Sequence, residues 1–415
     1  MELVTLEDWM TYIGSLHSVT IELGLTRVRE VAERMNLLKP LCTVISIAGT
    51  NGKGSTVAGL EAIYLAAGYR VGAFTSPYLM RLNEEVKIQG KEVDDADLCA
   101  AFREIETLRG EISLTPFEFN TLAALKIFQQ AQLDVILLEV GLGGRLDAVN
   151  IIDADVAIVT SIAIDHVDLL GNTRELIARE KAGIFRQGKP VVCGDESPPL
   201  SLQNFAKELD APLFCQKKDF RYTQQESSWD WASQKTCYEN LPLSILALQN
   251  MSTVLMTVEI LQEKLPVRRI AIDQALKQVE LPGRIQIIPG KITQIFDVSH
   301  NPAAAEFLAK KLQVIPCTGK TRAVFSMLVD KDIVGTIQVM KNLIDDWYIA
   351  ALPVKRATAL TMLLETFHKA KVTKVKSHPD IVRAYQCALE DSEEGDRVIV
   401  FGSFYTVAGV ITQKL

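Results

Sequence analysis

The stretch VISIAGTNGKGSTVAGLEAIYLAAG, residues 44–68, decides the fold class, because an apolar run leads through a glycine-rich turn into a helix-length segment. A phosphate-binding loop requires a strand, a glycine-rich turn and a helix in this order. Gly49, Gly52 and Gly54 would let backbone N–H groups face the phosphates. Lys53 would add a positive charge. The loop departs from the common Walker pattern, since residue 47 is Ile and Gly54 follows the lysine. The alternative is a glycine-rich turn without a ligand, but a lysine between two glycines at a helix start favours an anion.

Around this stretch, short β-branched runs alternate with helix-length amphipathic segments, which is typical of β–α units and a mostly parallel sheet. Ligands of such sheets bind at the carboxyl ends of strands, so we expect functional residues directly after strands. The predicted strands of the first part are residues 42–48, 70–74, 134–140, 156–162 and 190–193. We interpret residues 202–235 as an irregular edge and predict helices at residues 249–264 and 270–279.

The motif LPGR, residues 281–284, marks a domain boundary, because Pro and Gly interrupt the chain before new alternating elements begin. A chain of 415 residues also exceeds one ordinary core. The predicted fold class is α/β. An N-terminal P-loop-type domain with a mostly parallel sheet spans residues 1–281, and a smaller C-terminal Rossmann-like α/β domain spans residues 282–415. The predicted strands of the second domain are residues 292–298, 322–327, 346–351 and 397–401.

Composition excludes several classes of protein. With 48% hydrophobic and 23% charged residues, the chain is neither disordered nor fibrous. The net charge of -7 argues against a nucleic-acid partner. The N-terminal MELVTLEDWM lacks a basic region followed by an apolar one, and no run reaches the ~20 apolar residues of a membrane span. We therefore expect a cytoplasmic protein without a membrane partner. Its seven widely spaced cysteines indicate reduced thiols.

Glu139 lies at the end of an apolar run in DVILLEVGLGGRLDAVN, residues 134–150. A buried unpaired charge is costly, so this position implies a partner. Mg²⁺ is one candidate, because it takes oxygen ligands and bridges nucleotide phosphates. A salt bridge to Arg145 or Lys53 is the alternative. The nearby glycines permit close approach of a ligand to the backbone or form a tight turn.

The segment VAIVTSIAIDHVDLLG, residues 156–171, places Asp165, His166 and Asp168 after another apolar strand. A lone histidine is commonly a structural hydrogen-bonding group, but the position of His166, one strand from Glu139, favours a metal ligand. Lys181, in RELIAREKAGIF (174–185), belongs by composition to a solvated helix face.

The loop GTNGKGST, residues 49–56, resembles the nucleotide loop of the Mur ligase superfamily, and TSPYL (75–79) narrows the resemblance to the folylpolyglutamate synthase branch. The resemblance extends from about residue 9 to 412. It implies two Mg²⁺ ions, with Ser76 and Glu139 matching ligands of one and His166 a ligand of the other. Lys181 matches a lysine that carries a carboxylate on Nζ. The resemblance also implies ATP as the nucleotide, contacted by Thr50, Asn51, Gly52, Lys53, Gly54 and Ser55.

Three segments resemble the family's pterin site. HSVTIELGLTRV (17–28) contains the first, and many relatives have Asp in place of Glu22. In the second, LTPFEFNT (114–121), Phe117 would stack on the flat ring. From spacing alone, Phe117 and Phe119 are equally well explained as core residues. The matching positions are Glu22, Leu23, Gly24, Thr115, Pro116, Phe117, Glu118, Leu146, Asp147 and Ala148.

In TQIFDVSHNPAAAEFLAKKL, residues 293–312, Asn301 is a predicted helix N-cap and Pro302 the first helical residue. Capping explains both, which leaves Asp297 and His300 at the carboxyl end of a strand. The resemblance implies that Asp297 contacts the nucleotide and that the His-Asn-Pro turn faces the active cleft. It assigns catalytic roles to Lys53, Lys181 and His300, and nucleotide contacts to Asn250 and Arg284, although Arg284 would also suit an ordinary interdomain ion pair.

The resemblance implies an ATP-dependent ligase that adds L-glutamate to dihydropteroate and to reduced folates through an acyl phosphate. Similarity in the pterin segments favours this bifunctional enzyme over a monofunctional folylpolyglutamate synthase. A cell-wall Mur ligase is disfavoured by IELGL, by TPFEF and by the lack of a separate domain before the phosphate loop. A nucleotide-binding switch without ligase activity would not need a second domain with Asp297 and His300. We expect a monomer.

Overall fold

The computed structural model describes residues 3–19 and 22–411 and divides into two compact units, Met1–Val279 and Glu280–Leu415. The division lies just before the LPGR motif. Both units combine helices with mostly parallel sheets, so the predicted α/β fold class is confirmed.

The described part of the first unit contains an eight-stranded sheet. Its strands are β1 (Thr43–Ala48), β2 (Val71–Phe74), β3 (Val86–Ile88), β4 (Lys91–Glu92), β5 (Val135–Glu139), β6 (Val156–Val159), β7 (Val191–Cys193) and β8 (Leu213–Cys215). Their spatial order is β4–β3–β2–β5–β1–β6–β7–β8. The six strands from β2 to β8 in this order are parallel, and β3 and β4 are antiparallel at the edge.

Helices flank this sheet because its central strands are apolar throughout. All six residues of β1 are buried, as in a strand covered on both faces. The helices are α1 (Leu6–Leu16), α2 (Thr26–Arg34), α3 (Lys53–Ala66), α4 (Asp95–Arg109), α5 (Pro116–Gln130), α6 (Val167–Leu170), α7 (Arg174–Ala182), α8 (Leu200–Glu208), α9 (Leu248–Ile260) and α10 (Arg269–Gln278).

Strand register brings the predicted functional loops to one edge of the sheet. Ile47 of β1 pairs with Glu139 of β5, and Ala48 pairs with Val159 of β6. Phe74, the last residue of β2, pairs with Leu138. The segments after these four strands are therefore neighbours, as expected for the carboxyl ends of parallel strands.

The interpretation of residues 202–235 as irregular is wrong. They contain most of α8, all of β8 and two strands of a second, three-stranded antiparallel sheet. This sheet is formed by β9 (Phe220–Gln224), β10 (Ser228–Ser233) and β11 (Cys237–Pro242). Trp229 and Trp231 alternate with polar residues along β10 and are fully buried. The Trp231 indole N–H donates to Ser252 O of α9 at 3.1 Å. The short period-two pattern of SWDWAS was the overlooked strand signal.

The predicted strand at residues 156–162 ends three residues early, at Val159. The chain turns there because its next residues bind the loop after β1. Ser161 O accepts the N–H of Thr50 at 2.7 Å, and Thr160 Oγ1 donates to Asn51 O at 2.8 Å. The segment after β6 thus supports the glycine-rich loop instead of extending the sheet.

The second unit is a six-stranded sheet in the order β12–β13–β17–β14–β15–β16, formed by β12 (Gln286–Ile288), β13 (Thr293–Asp297), β14 (Thr321–Phe325), β15 (Asp346–Ile349), β16 (Val375–Ser377) and β17 (Arg397–Phe401). Only β12 is antiparallel to its neighbour among these described strands. Phe325, Trp347 and Phe367 pack together in its core. Its helices are α11 (Pro302–Val314), α12 (Ile333–Met340), α13 (Leu360–Lys369), α14 (Ile381–Glu390) and α15 (Phe404–Ile411).

The structure has its seven cysteines as free thiols, and their reduced state stays a prediction. In the described residues, every helix is too short or too polar to cross a membrane.

Candidate active site

The glycine-rich loop after β1 has the backbone geometry of a phosphate cradle. Gly52, the N-cap of α3, has φ +92°, which an L side chain rarely adopts. A Cβ at Gly52 would lie 2.5 Å from Asn250 Oδ1, so the predicted nucleotide residue Asn250 lies directly against the loop. Gly54, Ser55 and Thr56 follow Lys53 in the first turn of α3, whose first N–H groups can bind an anion. Thr50 and Asn51 are held by the segment after β6.

Glu139 is a buried acidic residue at this edge of the sheet. It is only 4% exposed, and its Oε1 lies 4.0 Å from Lys53 Nζ. The backbone N–H of Ser76 donates to Glu139 Oε2 at 3.4 Å. Of the two predicted salt-bridge partners of Glu139, Lys53 is the one that it pairs with in the structure. Arg145 pairs with Glu180 instead. Ser76, Glu139 and Lys53 are thus brought together.

Lys181 is buried, so its assignment to a solvated helix face is wrong. It is 3% exposed, and its Nζ donates to Gly49 O at 2.9 Å. Gly144 has no side chain and packs against the carbonyls of Glu180 and Lys181, which seats α7 against the loop after β5. Burial, reinforced by the charge of Lys53, lowers the pKa of Lys181 to about 7. At pH 7, about half of the Lys181 side chains under the glycine-rich loop are therefore neutral amines.

Two carboxyl groups of the first unit, Asp147 and Glu85, are also buried. Asp147 accepts the N–H groups of Leu142 at 2.8 Å and Val149 at 3.1 Å, and burial raises the pKa of Asp147 to about 7. Burial raises the pKa of Glu85 to about 8. Both acids hold protons more tightly than exposed carboxyl groups because the charged form is poorly solvated.

His166 lies on the loop after β6 with φ +50°, immediately before α6. Its backbone N–H donates to Asp165 Oδ1 at 2.9 Å. The same loop contacts the glycine-rich loop, since Thr50 Oγ1 donates to Ala163 O at 3.1 Å. His166 therefore shares the edge of the sheet with Glu139 and Ser76.

The donor set fits a hard cation bound together with phosphate. Within residues 3–19 and 22–411, no three His, Cys, Asp or Glu side chains are grouped to hold a metal ion by themselves. The buried carboxylate of Glu139 and the hydroxyl of Ser76 would supply oxygen ligands, and phosphate oxygens would supply others. Mg²⁺ binds in this way, through one or two carboxylates and substrate phosphates.

The three segments that resemble a pterin site are brought together. Gly24 N–H donates to Leu146 O at 3.2 Å, which joins the first segment to the third. Arg27 pairs with Glu22 and also with Glu118, 3.2 Å from Nη2 to Oε1. Residues 20 and 21 of the first segment lie outside the described part of the chain. Arg27 was overlooked, although it belongs to the same HSVTIELGLTRV motif.

The aromatic residues of the second segment have different roles. Phe119 is fully buried against Phe102, which confirms the core interpretation for this residue. Phe117 is half-buried, and a Cβ at Gly141 would lie 2.6 Å from its Cζ. Gly141 therefore leaves room for the Phe117 ring. Thr115, Pro116 and Glu118 form the capped first turn of α5, in which Thr115 Oγ1 accepts the N–H of Glu118 at 3.3 Å.

In the second unit, Asp297 ends β13 and is 4% exposed. It accepts the N–H of Ile285 and the N–H of Ser299, each at 2.9 Å. Arg284 places its guanidinium 5.0 Å from the centre of the Phe404 ring.

The turn after β13 contains His300 and Asn301. His300 Nδ1 lies 3.0 Å from Val298 O, so this nitrogen is the N–H donor. Asn301 Oδ1 accepts the N–H of Ala304 at 2.9 Å, and Pro302 begins α11, which confirms the predicted cap.

Comparison with known proteins finds a Mur ligase domain in each of the two units. The Mur ligase middle domain matches residues 47–198, and the Mur ligase glutamate ligase domain matches residues 283–404. Escherichia coli dihydrofolate synthase/folylpolyglutamate synthase is 46% identical, over 98% of this chain and 94% of its own.

Solved structures are similar to this chain over nearly its whole length. Escherichia coli FolC in complex with DHPP and ADP is 45% identical, with a TM-score of 0.95 over 99% of this chain and 98% of the other. A bifunctional folylpolyglutamate synthase/dihydrofolate synthase with Mn, AMPPNP and L-glutamate bound is 45% identical, with a TM-score of 0.93 over the same shares. The chain belongs to the dihydrofolate synthase/folylpolyglutamate synthase family of Mur ligases.

Proposed function

We propose that this chain is an ATP-dependent ligase that adds L-glutamate to dihydropteroate, forming dihydrofolate, and to tetrahydrofolate, forming folylpolyglutamates. One observation carries the proposal. The glycine-rich loop with Lys53 and the buried Glu139 occupies the same edge of one sheet as the joined pterin-type segments. A phosphoryl donor and a pteroate carboxylate would therefore meet above this edge.

The nucleotide phosphates would bind the N–H groups at the start of α3 and the ammonium of Lys53. Thr50, Asn51, Gly52, Gly54, Ser55 and Asn250 frame this part of the site. Two Mg²⁺ ions, one held by Ser76 and Glu139 and one by His166, would neutralise charge on the transferring phosphoryl group. In the second unit, Arg284 and Asp297 are the proposed nucleotide contacts, and His300 is the proposed catalytic residue at the glutamate ligase step.

The reaction then needs no side-chain nucleophile. A carboxylate oxygen of the pteroate takes the γ-phosphoryl group of ATP, which gives an acyl phosphate and ADP. The amino nitrogen of glutamate attacks the acyl carbon, loses a proton and displaces inorganic phosphate. The contribution of the protein is to hold the reacting groups in line and to exclude water from the acyl phosphate.

The pterin ring is proposed to bind among the three joined segments. Phe117 offers a half-buried aromatic face beside Gly141. The polar contacts would come from Glu22 and Asp147, and the remaining walls from Leu23, Gly24, Thr115, Pro116, Glu118, Leu146 and Ala148. Arg27 forms ion pairs with both Glu22 and Glu118 and so holds the first two segments together.

We further propose that Lys181 is carboxylated on Nζ. A neutral amine reacts with CO₂ to give a carbamate and a proton, and the lowered pKa of Lys181 supplies that neutral amine. The product would be an anion close to Lys53, whose charge disfavours the ammonium form of Lys181. Nuclear magnetic resonance with carbon-13-labelled bicarbonate would detect the carbamate, and a Lys181→Met variant that retains the signal would contradict the assignment.

Residues 1–281 would bind ATP and the pterin, and residues 282–415 would form the glutamate ligase domain. We propose a cytoplasmic monomer whose partners are small molecules, without nucleic acid or membrane.

The deciding experiment measures ADP release by the purified protein with ATP, Mg²⁺ and L-glutamate. Dihydropteroate is added in one reaction and tetrahydrofolate in another. Stimulation by both supports the bifunctional enzyme, and stimulation by tetrahydrofolate alone indicates a monofunctional folylpolyglutamate synthase. Stimulation by neither would overturn the proposed activity.

A further inference from the structure

Two consecutive acidic residues hold the loop that follows β2. This loop, residues 75–81, includes Ser76. The backbone carbonyl of Glu85 accepts the N–H of Thr75 at 2.9 Å. The carboxylate of Glu84 accepts three backbone N–H groups of the loop, from Leu79 and Met80 at 2.7 Å and from Arg81 at 2.9 Å. Glu84 therefore explains how the distal part of the loop keeps its shape.

The side chain of Glu85 has a different set of contacts. It is 5% exposed and lies between the loop and α5. Asn120 Nδ2, one turn along α5 from Phe117, donates to Glu85 Oε2 at 3.0 Å. The same carboxyl group accepts the backbone N–H of Tyr78. One buried group thus binds the helix of the pterin segment and the loop that contains Ser76.

These contacts continue to the phosphate loop. The N–H of Ser76 donates to Glu139, and Glu139 lies 4.0 Å from Lys53. A continuous series of polar contacts therefore runs from Asn120 through Glu85, the loop and Glu139 to Lys53. Fully partnered polar networks with little exposure to water are stiff, so a displacement at one end is transmitted along them.

We propose that Glu85 is a positioning residue that couples pteroate binding at the start of α5 to the placement of Ser76 and Glu139 at the phosphate and metal site. The inference rests on the proposed function. Glu84 already holds the loop, and burying a second carboxyl group costs free energy that an apolar side chain of similar size would not cost. The hydrogen bonds of Glu85 to Asn120 of α5 and to Tyr78 of the loop account for its buried carboxyl group.

The test compares Glu85→Ala, Asn120→Ala and the double variant with wild type. Calorimetry measures ADP binding in Mg²⁺ with and without dihydropteroate. In wild type, dihydropteroate should tighten ADP binding about fivefold or more. Each single variant should reduce this factor to less than about twofold, and the double variant should reduce it no further, because both residues act in one path. Half-maximal activity should require about tenfold more Mg²⁺, while dihydropteroate binding without nucleotide stays unchanged.

Glu61→Gln is the matched control. Glu61 is also a buried glutamate of the first unit, but it lies on α3, where the backbone of Gly90 and the charge of Lys87 act on its carboxyl group. This variant should keep the wild-type coupling. If Glu85→Ala fails to fold, Asn120→Ala and Glu85→Gln, which retains one acceptor oxygen, provide the same comparison.

Wild type without coupling, folded variants that keep it, or independent effects in the double variant would each overturn the proposal. ADP release by wild type tests the proposed function separately. A ligase without coupling would therefore refute only the role of Glu85.

Discussion

Replacing Gly52 by alanine perturbs the phosphate loop, and the structure gives the expected change in the free energy of unfolding. At φ +92°, an L residue costs roughly 1–2 kcal/mol. The new Cβ would also lie 2.5 Å from Asn250 Oδ1 and 2.6 Å from Nδ2. Asn250 or the loop must therefore move by about 1 Å, and such overpacking typically costs about 1–3 kcal/mol. We expect Gly52→Ala to lower the free energy of unfolding by about 2–5 kcal/mol.

Gly68→Ala separates the two contributions. Gly68 follows the other end of α3 with φ +89°, and no heavy atom lies within 4 Å of its added Cβ. This variant therefore has the backbone strain without the clash, so its free energy of unfolding should fall by only about 1–2 kcal/mol. The double variant Gly52→Ala/Asn250→Ala removes the clash, so its free energy of unfolding should fall by the same amount as that of Gly68→Ala. Urea unfolding followed by circular dichroism provides the comparison.

Activity should respond differently from stability. A 1 Å displacement in the loop predicts a loss of about a hundredfold in kcat/KM for ATP in Gly52→Ala, whereas Gly68→Ala should stay near wild type. Removing Asn250 should restore stability but not ATP use, because Asn250 is itself a proposed nucleotide contact. Equal stabilities for the two alanine variants, or no recovery in the double variant, would refute the assigned contact between Gly52 and Asn250.

Three further predictions test other parts of the chain. Asn301→Ala removes the cap of α11 and should cost about 1 kcal/mol of stability with kcat within about twofold of wild type, and a large loss of kcat would contradict a purely capping role. Trp231→Ala removes a fully buried indole and should cost about 3–5 kcal/mol in urea unfolding, whereas a loss below 1 kcal/mol would show that β10 is not packed as described. The third prediction concerns pH. Because the pKa of Lys181 falls from 10.5 to about 7 on folding, the unfolded chain binds more protons between these values, and stability contributed at this residue rises with pH. In CO₂-free buffer, the stability advantage of Lys181→Met over wild type should shrink by about 2 kcal/mol from pH 7 to pH 9, and a constant difference would contradict the lowered pKa.

Local patterns predicted much of the fold. The apolar run of β1 and the glycine-rich turn after it define a strand, a loop and a helix within one continuous segment. Asn301 and Pro302 predicted the start of α11 because a cap depends on hydrogen bonds three residues apart. The strand at β10 was missed because two tryptophans in alternation are too short a pattern to stand out in a polar run.

The site depends on contacts between distant parts of the chain. The composition of α7 alone predicts a solvated Lys181. Only the packing of α7 under the glycine-rich loop brings its Nζ to Gly49, 132 positions away in the chain. Arg27 and Glu85 similarly acquire their roles from partners on α5, at Glu118 and Asn120.

Sequence alone determined the family, the α/β class and the residue types at the edge of the sheet, because these follow from apolar periodicity, glycine placement and motif. Only the tertiary structure decided which of those residues are buried and which side chains pair. Burial and the neighbouring charges arise from the fold, and they lower the pKa of Lys181 and raise the pKa values of Asp147 and Glu85.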